Sequence, residues 1–229
     1  MYGIPSDGFG ALESLAPTLR RLVLDSNLSH IPTTTLSALT GLRSLVIASI
    51  VGDRNEEGLA SALQHLSQLT KLRVLSSSGP PPQTLTALTQ LRALSWTPLT
   101  SLPDHRPVVG ELSLPLGQWL AGLHTLAIHE DIVDHSIAAL KAATSLQLLA
   151  VGVGSNLVDK YDRVLYWALQ RHWRRQHVPR LLFSTQDKHV RASTIGAIFW
   201  ARDQGLDVSY QSIYATGTLR KLLTFDAWR

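Results

Sequence analysis

Cysteine is absent from this chain of 229 residues. Its absence excludes disulfide frameworks, thiolate metal sites and cysteine nucleophiles. Charged residues are scarce, at 17%, while apolar residues make up 45%, so the composition is not that of a disordered chain. No apolar run approaches the ~20 residues that a membrane-spanning helix needs. The segment Met1–Leu15 has no basic residue and no apolar core, so we expect no secretory signal.

The composition changes near residue 158. Residues 1–158 carry 33 of the 41 leucines, with 9 Lys and Arg against 11 Asp and Glu. Residues 159–229 carry 12 Lys and Arg against 6 Asp and Glu, together with 11 of the 15 aromatic residues. We therefore predict two sections, 1–158 and 159–229, which we call the leucine-rich section and the aromatic-rich section.

The leucine-rich section is repetitive. Six segments follow the pattern (Leu or Ala)-x-x-Leu-x-x-Leu-x-Φ, in which Φ is apolar. The second leucines of these segments are Leu19, Leu42, Leu72, Leu91, Leu123 and Leu146. Their spacing of 19 to 32 residues is typical of a solenoid, in which each repeat contacts only its neighbours.

Each repeat ends in two apolar residues separated by one position, as in Leu45 and Ile47. Such residues point to the same side of a strand. Between the strands, apolar residues recur at helical spacing, as in 57–69 and 132–146. Parallel strands joined by helical returns predict an α/β solenoid with one continuous leucine core. We expect the strand leucines to be fully buried in it: Leu45, Leu94 and Leu126.

This pattern resembles the leucine-rich repeat family. The first repeat adds Asn27 and the pair Ile31-Pro32, which are similar to the asparagine and the Ile-Pro of the family consensus. Later repeats lack the asparagine, and no cysteine cap of the extracellular type is present. The resemblance implies an intracellular horseshoe with a parallel concave β-sheet and a convex side of helices or loops. The two longest spacings predict surface insertions at 51–58 and 97–115.

The aromatic-rich section keeps part of the pattern. Segments 178–183, 205–210 and 219–223 predict three further strands of degenerate repeats. Helical stretches over 159–176 and 188–204 would connect them. Because this end of the chain is poor in leucine and rich in aromatic residues, we predict that it forms a C-terminal cap on the leucine core.

In a horseshoe, the expected binding surface is the concave face, where strand residues alternate with the buried leucines. The predicted outward residues are Arg21, Val23, Asp25, Ser44, Val46, Ala48, Val74, Ser76, Ser78, Ala93, Ser95, Thr97, Thr125, Ala127, His129, Leu148, Ala150 and Gly152. Only Arg21, Asp25 and His129 can carry charge, and the usual aromatic and arginine anchors are few. Two interpretations stay open: a smooth trough that accepts a helix or strand, or a face that binds nothing tightly.

The helix predicted over 159–176 carries a second candidate surface, which we call the basic stripe. It consists of Lys160, Arg163, Arg171 and Arg174, with Trp167 among them. On an ideal helix the four cations fall within an arc of about 80°. Such a surface suits an acidic peptide, a phosphate or a stacked base. The alternative is a solvated helix face whose tryptophan packs under a loop.

Enzyme signatures are weak. The segment Gly152-Val-Gly154 resembles a dinucleotide loop, but Leu157 stands where the third glycine is required. No Walker phosphate loop and no Gly-x-Ser-x-Gly elbow occurs. His124 and His129 lie five positions apart on a strand and therefore face opposite sides. The sequence predicts no catalytic residue, no cofactor and no metal site.

The family resemblance implies a non-catalytic module for protein–protein interaction. Such modules serve as recognition arms of ubiquitin-ligase adaptors or as cytoskeletal, axonemal and signalling scaffolds. We therefore expect an unidentified protein partner and a cytoplasmic location, with a cytoskeletal, axonemal or nuclear one as the variants. The alternative, which depends on the basic stripe, is a protein that binds nucleic acid or another anionic partner.

Overall fold

The computed structural model describes residues 12–24, 33–50, 53–76, 82–98, 114, 116–153, 158–185 and 192–212. Within these ranges, strands alternate with helices along the chain. The strands are β1 (Arg21–Leu24), β2 (Ser44–Ile50), β3 (Lys71–Ser76), β4 (Ala93–Pro98), β5 (Thr125–His129), β6 (Leu148–Val153), β7 (Arg180–Thr185) and β8 (Val208–Ser212). The helices are α1 (Thr33–Ala38), α2 (Asp53–Gln64), α3 (Pro82–Ala87), a 3-10 helix (Gln118–Gly122), α4 (Glu130–Ala142), α5 (Val158–Trp173) and α6 (Ala192–Asp203).

All eight strands are parallel, and they pair in chain order from β1 to β8 in one open sheet. Because every crossover moves in the same direction, right-handed connections place the helices on one face of the sheet. Each helix packs against the next helix along the chain. Helix and strand residues share one apolar core. This arrangement is compatible with a repeat solenoid.

The strand register places the core residues of neighbouring repeats side by side. One row consists of Leu22, Leu45, Leu72, Leu94, Leu126, Leu149, Leu181 and Val208. The next row, two residues later, consists of Leu24, Ile47, Val74, Trp96, Ile128, Val151, Phe183 and Tyr210. Only Leu22 and Tyr210, in the two end strands, are partly exposed. The predicted burial of Leu45, Leu94 and Leu126 is confirmed, since all three are fully buried.

The predicted alignment of the third repeat is wrong by three residues. Leu72 pairs with Leu45 on one side and Leu94 on the other, so the second leucine of this repeat is Leu69. In this frame the final apolar position of the repeat is Val74. Val74 is therefore fully buried in the core and does not lie on the outward face as predicted.

Strands β7 and β8 extend the same sheet, so the aromatic-rich section continues the strand repeat. They correspond to the predicted strands 178–183 and 205–210, whereas the third predicted strand, 219–223, lies outside the described residues. Because β7 pairs with β6, the core residues Leu149 and Val151 of β6 are buried.

The two predicted surface insertions, 51–58 and 97–115, have different outcomes. Helix α2 begins at Asp53, so most of the segment 51–58 is helical and is not a loop. Most of the segment 97–115 lies outside the described residues, as do Asn27 and the pair Ile31-Pro32. Near its end, Leu114 is buried, and its backbone N–H donates to Ser136 Oγ of α4 at 2.9 Å. None of the described helices is long and apolar enough to cross a membrane.

Candidate functional site

The face of the sheet opposite the helices, which we call the open face, includes two rows of strand residues that cross most of the sheet. The first row is Arg21, Ser44, Lys71, Ala93, Thr125, Leu148 and Arg180. The second row is Val23, Val46, Arg73, Ser95, Ala127, Ala150, Leu182 and Ser209. Because the third repeat has the corrected register, Lys71 and Arg73 lie on this face. The open face is therefore more basic than the sequence predicted.

Arg73 is the residue of the open face with the most unusual environment. It is partly buried, and desolvation lowers the pKa of its guanidinium from its usual value to about 10. Its Nε is buried and has no hydrogen-bond partner among the described residues. The hydroxyl of Ser95, its register partner on β4, is buried without a partner as well. Unpartnered buried polar groups are costly, and an incoming carboxylate would satisfy the guanidinium.

The three charged residues that the sequence predicted on this face have different outcomes. Arg21 lies on the open face of β1 and is exposed. Asp25 lies outside the described residues. His129 is the last residue of β5, where it occupies an open-face position beside Gly152 of β6. The residue with the strongest anchor character, Arg73, was missed because of the misplaced third repeat.

Arginines that precede the strands tie neighbouring repeats together. Arg20 Nη1 donates to the carbonyl oxygen of Gly41 at 3.0 Å, and Arg92 Nη1 donates to that of Gly122 at 3.1 Å. In each pair the glycine belongs to the next repeat. A Cβ atom at either glycine would collide with the arginine Nη1, so the close approach requires glycine. We call these contacts the arginine–glycine ties. No pattern in the sequence indicates them.

The basic stripe does not form as predicted, because Trp167 is only 4% exposed. Helix α5 packs against α4 on one side and α6 on the other, which widens its buried surface. The buried residues of α5 are Val164, Leu165, Trp167, Ala168 and Leu169. His172, in the last turn of α5, is exposed. A base cannot stack on a tryptophan that the helices already cover.

Part of the basic stripe meets a neighbouring helix. A cleft of about 210 Å³, which we call the α4–α5 cleft, is lined by Lys141, Trp167, Gln170, Arg171, Arg174 and Gln176. The Arg171 guanidinium lies 5.5 Å from the centre of the Trp167 ring, and its Nε donates to the carbonyl oxygen of His177 at 2.9 Å. Arg163 is exposed and does not line the cleft, and the side chain of Lys160 lies outside the described part.

Two histidines support the connectors that lead into strands. His124 Nδ1 donates to the carbonyl oxygen of Gly122, and His177 Nε2 donates to that of Leu146, both at 2.8 Å. The carbonyl oxygen can only accept, so these contacts fix which ring nitrogen carries the proton. Within the described ranges, no three His, Asp or Glu side chains are grouped closely enough to hold a metal ion.

Comparison with protein-family models gives no match, and no curated protein matches the sequence either. The likeness to leucine-rich repeats therefore depends on the spacing of the leucines and on the register of the sheet. The features that bear on function are the open face around Arg73 and the α4–α5 cleft.

Proposed function

We propose that this chain is a leucine-rich repeat module that binds an acidic segment of another protein on its open face and catalyses no reaction. The observation that carries the proposal is the environment of Arg73, a partly buried cation whose Nε has no described partner. The repeat pattern and the one-directional parallel sheet support the family assignment. A cytoplasmic scaffold or an adaptor subunit would use such a surface.

Arginine suits the role of anchor on this face. A guanidinium forms two parallel hydrogen bonds with a carboxylate, and arginine is enriched among the residues that dominate binding energy. Arg73 has already lost part of its hydration in the free protein, as its lowered pKa indicates. A partner carboxylate therefore gains the charge interaction at a smaller additional desolvation cost.

The surroundings of Arg73 favour an acidic and closely approaching partner. Arg21 and Lys71 occupy the first open-face row, and the described open-face positions of β1–β4 include no acidic residue. Clustered cations raise the local electrostatic potential and steer an anionic partner towards the face. Small residues next to Arg73, such as Ala93 and Ser95, leave room for a partner backbone.

The proposal is tested by selecting peptides from a displayed random library against the full chain, followed by affinity measurement at two salt concentrations. We expect acidic peptides that photocrosslink to β2–β4 and bind more weakly at higher salt. Arg73→Met should weaken binding by about tenfold or more. The matched control is Arg180→Met, since Arg180 lies on the same face but is exposed beside Asp207, at 3.8 Å. Peptides of no particular charge, or equal losses in both variants, would contradict the proposal.

A further inference from the structure

The α4–α5 cleft lies among the helices, on the opposite side of the sheet from the open face. A ligand in the cleft would therefore act independently of a partner on the open face. We propose that the α4–α5 cleft binds the phosphoryl group of a phosphomonoester.

The lining of the cleft is built from hydrogen-bond donors. Lys141, Arg171 and Arg174 supply three cations, and the amides of Gln170 and Gln176 add neutral donors. None of the six lining residues is acidic. A cleft in which cations converge and carboxylates are missing recognises an oxyanion.

Arg171 is held in place before any ligand arrives. Its Nε donates to the carbonyl oxygen of His177, and its guanidinium packs over the ring of Trp167. His177 in turn donates to the carbonyl oxygen of Leu146, which ties this wall of the cleft to the connector before β6. The Nε contact does not use the two Nη groups of Arg171. A fixed guanidinium with available N–H groups suits the fork geometry of phosphate recognition.

The lining of the cleft also includes a buried donor, the indole N–H of Trp167. Trp167 lines the cleft, and its Nε1–H is buried with no acceptor among the described residues. Burial also lowers the pKa of Arg171 below its usual value, because the charged form loses hydration. An anion in the cleft would offset the desolvation of Arg171 and would lie against Trp167, which lines the cleft.

Size and charge favour a phosphoryl group over other anions. The volume of about 210 Å³ is below the roughly 300 Å³ at which pockets begin to hold drug-sized ligands. Three cations match the nearly two negative charges of a phosphomonoester better than the single charge of a carboxylate. A nucleic-acid strand is disfavoured because Trp167 is buried and cannot stack on a base.

The test follows the indole N–H resonance of Trp167 by NMR in the full chain, during titration at about pH 7.5, where a phosphomonoester is mostly dianionic. Six tryptophans give six such resonances, and Trp167→Phe identifies the relevant one. The probes are inorganic phosphate, a phosphoserine peptide, acetate and a single-stranded DNA without terminal phosphate. We expect a saturable shift with the first two probes only. Similar affinity for both would identify free phosphate or a small phosphate ester as the source, and tighter peptide binding would identify a phosphorylated protein.

The variants separate the cleft from general electrostatic attraction. Lys141→Gln combined with Arg174→Gln removes two exposed cations of the cleft, so the fold should be retained. We expect this double variant to weaken phosphate binding by about tenfold or more. The control, Arg163→Gln, removes another exposed charge of α5 that lies outside the cleft, and it should change affinity by less than about twofold. No saturable shift up to about 10 mM phosphate, an equal response to acetate or DNA, or an equal loss in the control would overturn the proposal.

Discussion

The leucine-rich and aromatic-rich sections repeat the same strand pattern, but their arginines make different hydrogen bonds to the backbone near the strands. In the leucine-rich section, an arginine before a strand reaches the next repeat, as Arg92 does with Gly122. In the aromatic-rich section, an arginine in the last turn of a helix reaches a carbonyl six residues later. Arg171 donates to His177 at 2.9 Å, and Arg202 donates to Val208 at 2.6 Å. The first contact joins two repeats, and the second closes one repeat on itself.

The helices of the aromatic-rich section differ from those of the leucine-rich section in their aromatic and arginine residues. Helices α5 and α6 have 16 and 12 residues, and α2 and α4 of the leucine-rich section have 12 and 13, so helix length does not separate the two sections. In both α5 and α6 the last-turn arginine lies over an aromatic ring one turn earlier, 5.5 Å from Trp167 for Arg171 and 5.7 Å from Phe199 for Arg202. Cation–π contacts of this kind add to stability. Six of the eleven aromatic residues of this section lie in α5 and α6, and Phe183 and Tyr210 lie in the strands β7 and β8.

The largest effect should come from opening a cavity in either section. Leu94→Ala removes a fully buried strand leucine and should lower the free energy of unfolding by about 2–5 kcal/mol, and Phe183→Ala by about 3–5 kcal/mol. Because β7 pairs with β6 in one sheet, we expect each substitution to shift the same cooperative melting transition. Thr89→Ala, at an exposed position, should change stability by less than about 0.5 kcal/mol. A second transition that only Phe183→Ala shifts would show that the aromatic-rich section folds alone.

The strand repeat could be predicted because it depends on residues close in sequence. Two apolar residues one position apart, preceded by leucines at intervals of three, place the strand in most repeats. The third repeat failed because leucines recur at every third position: Leu63, Leu66, Leu69, Leu72 and Leu75. Several alignments, or frames, of the repeat pattern place leucines at its first three apolar positions in such a run. Only the residue at the final apolar position distinguishes these frames. The frame that ends on Val74 fits, whereas a frame that begins at Leu69 ends on the polar Ser77.

The candidate sites could be predicted less well because they depend on packing between repeats. The arginine–glycine ties join residues about one repeat apart, and no local pattern identifies the partner. The α4–α5 cleft brings Lys141 to Arg171, on two helices whose separation the sequence does not specify. Trp167 was misplaced because helical periodicity assumes a single buried face, while α5 has helices on both sides and also shares the apolar core with the strands.

The open faces of the two sections should respond differently to removal of a cation. Arg73→Met replaces a partly buried guanidinium, whose Nε has no described partner, by an apolar side chain of similar length. We expect the free energy of unfolding to rise by about 1 kcal/mol, because the desolvation cost disappears. Arg180→Met, at an exposed ion pair in the aromatic-rich section, should change stability by less than about 0.5 kcal/mol. Urea unfolding measures both, and a marked loss of stability in Arg73→Met would mean that Arg73 supports the fold.

Among the described residues, left-handed helix ends belong to the aromatic-rich section alone. The residues with positive φ are Arg175 after α5, at 54°, and Gly205 after α6, at 86°. Both helices end in the same pair of backbone hydrogen bonds. The donors after α5 are the N–H groups of Arg175 and Gln176, and the donors after α6 are those of Gly205 and Leu206. Glycine adopts this conformation freely, whereas arginine is strained.

The two helix ends therefore predict opposite effects. Arg175→Gly should raise the free energy of unfolding by up to about 1 kcal/mol, and Gly205→Ala should lower it by about 1 kcal/mol. A Cβ at Gly205 would lie 3.5 Å from the His172 ring, an ordinary contact, so the expected loss is conformational and not steric. Thermal melts of the two variants measure the difference. If both variants are destabilised, the arginine at the end of α5 makes contacts that outweigh its strain.

The smallest effect should come from cutting one arginine–glycine tie of the leucine-rich section. In Gly122→Ala the new Cβ would lie 2.9 Å from Arg92 Nη1, so the flexible end of the arginine must move and its hydrogen bond is lost. We expect a loss of about 0.5–1 kcal/mol, because the Gly122 carbonyl keeps its contact with His124. Gly196→Ala in α6, where no atom lies within 4 Å of the new Cβ, should instead stabilise by up to about 1 kcal/mol.

A double-mutant cycle with Arg92→Gln decides whether this loss belongs to the tie. If Gly122→Ala acts only by displacing Arg92, the second substitution has no hydrogen bond left to remove. The free energy of unfolding of the double variant should then be no lower than that of the less stable single variant. Helix propensity cannot contribute to this non-additivity, since Arg92 lies in the connector before β4 and Gly122 is the last residue of the 3-10 helix before β5, so the two residues share no helix. Additive losses in urea unfolding would show that the glycine is required for the backbone of the 3-10 helix and not for its arginine partner. Non-additive losses would establish a contact between repeats that the aromatic-rich section replaces by the helix-end arginines Arg171 and Arg202.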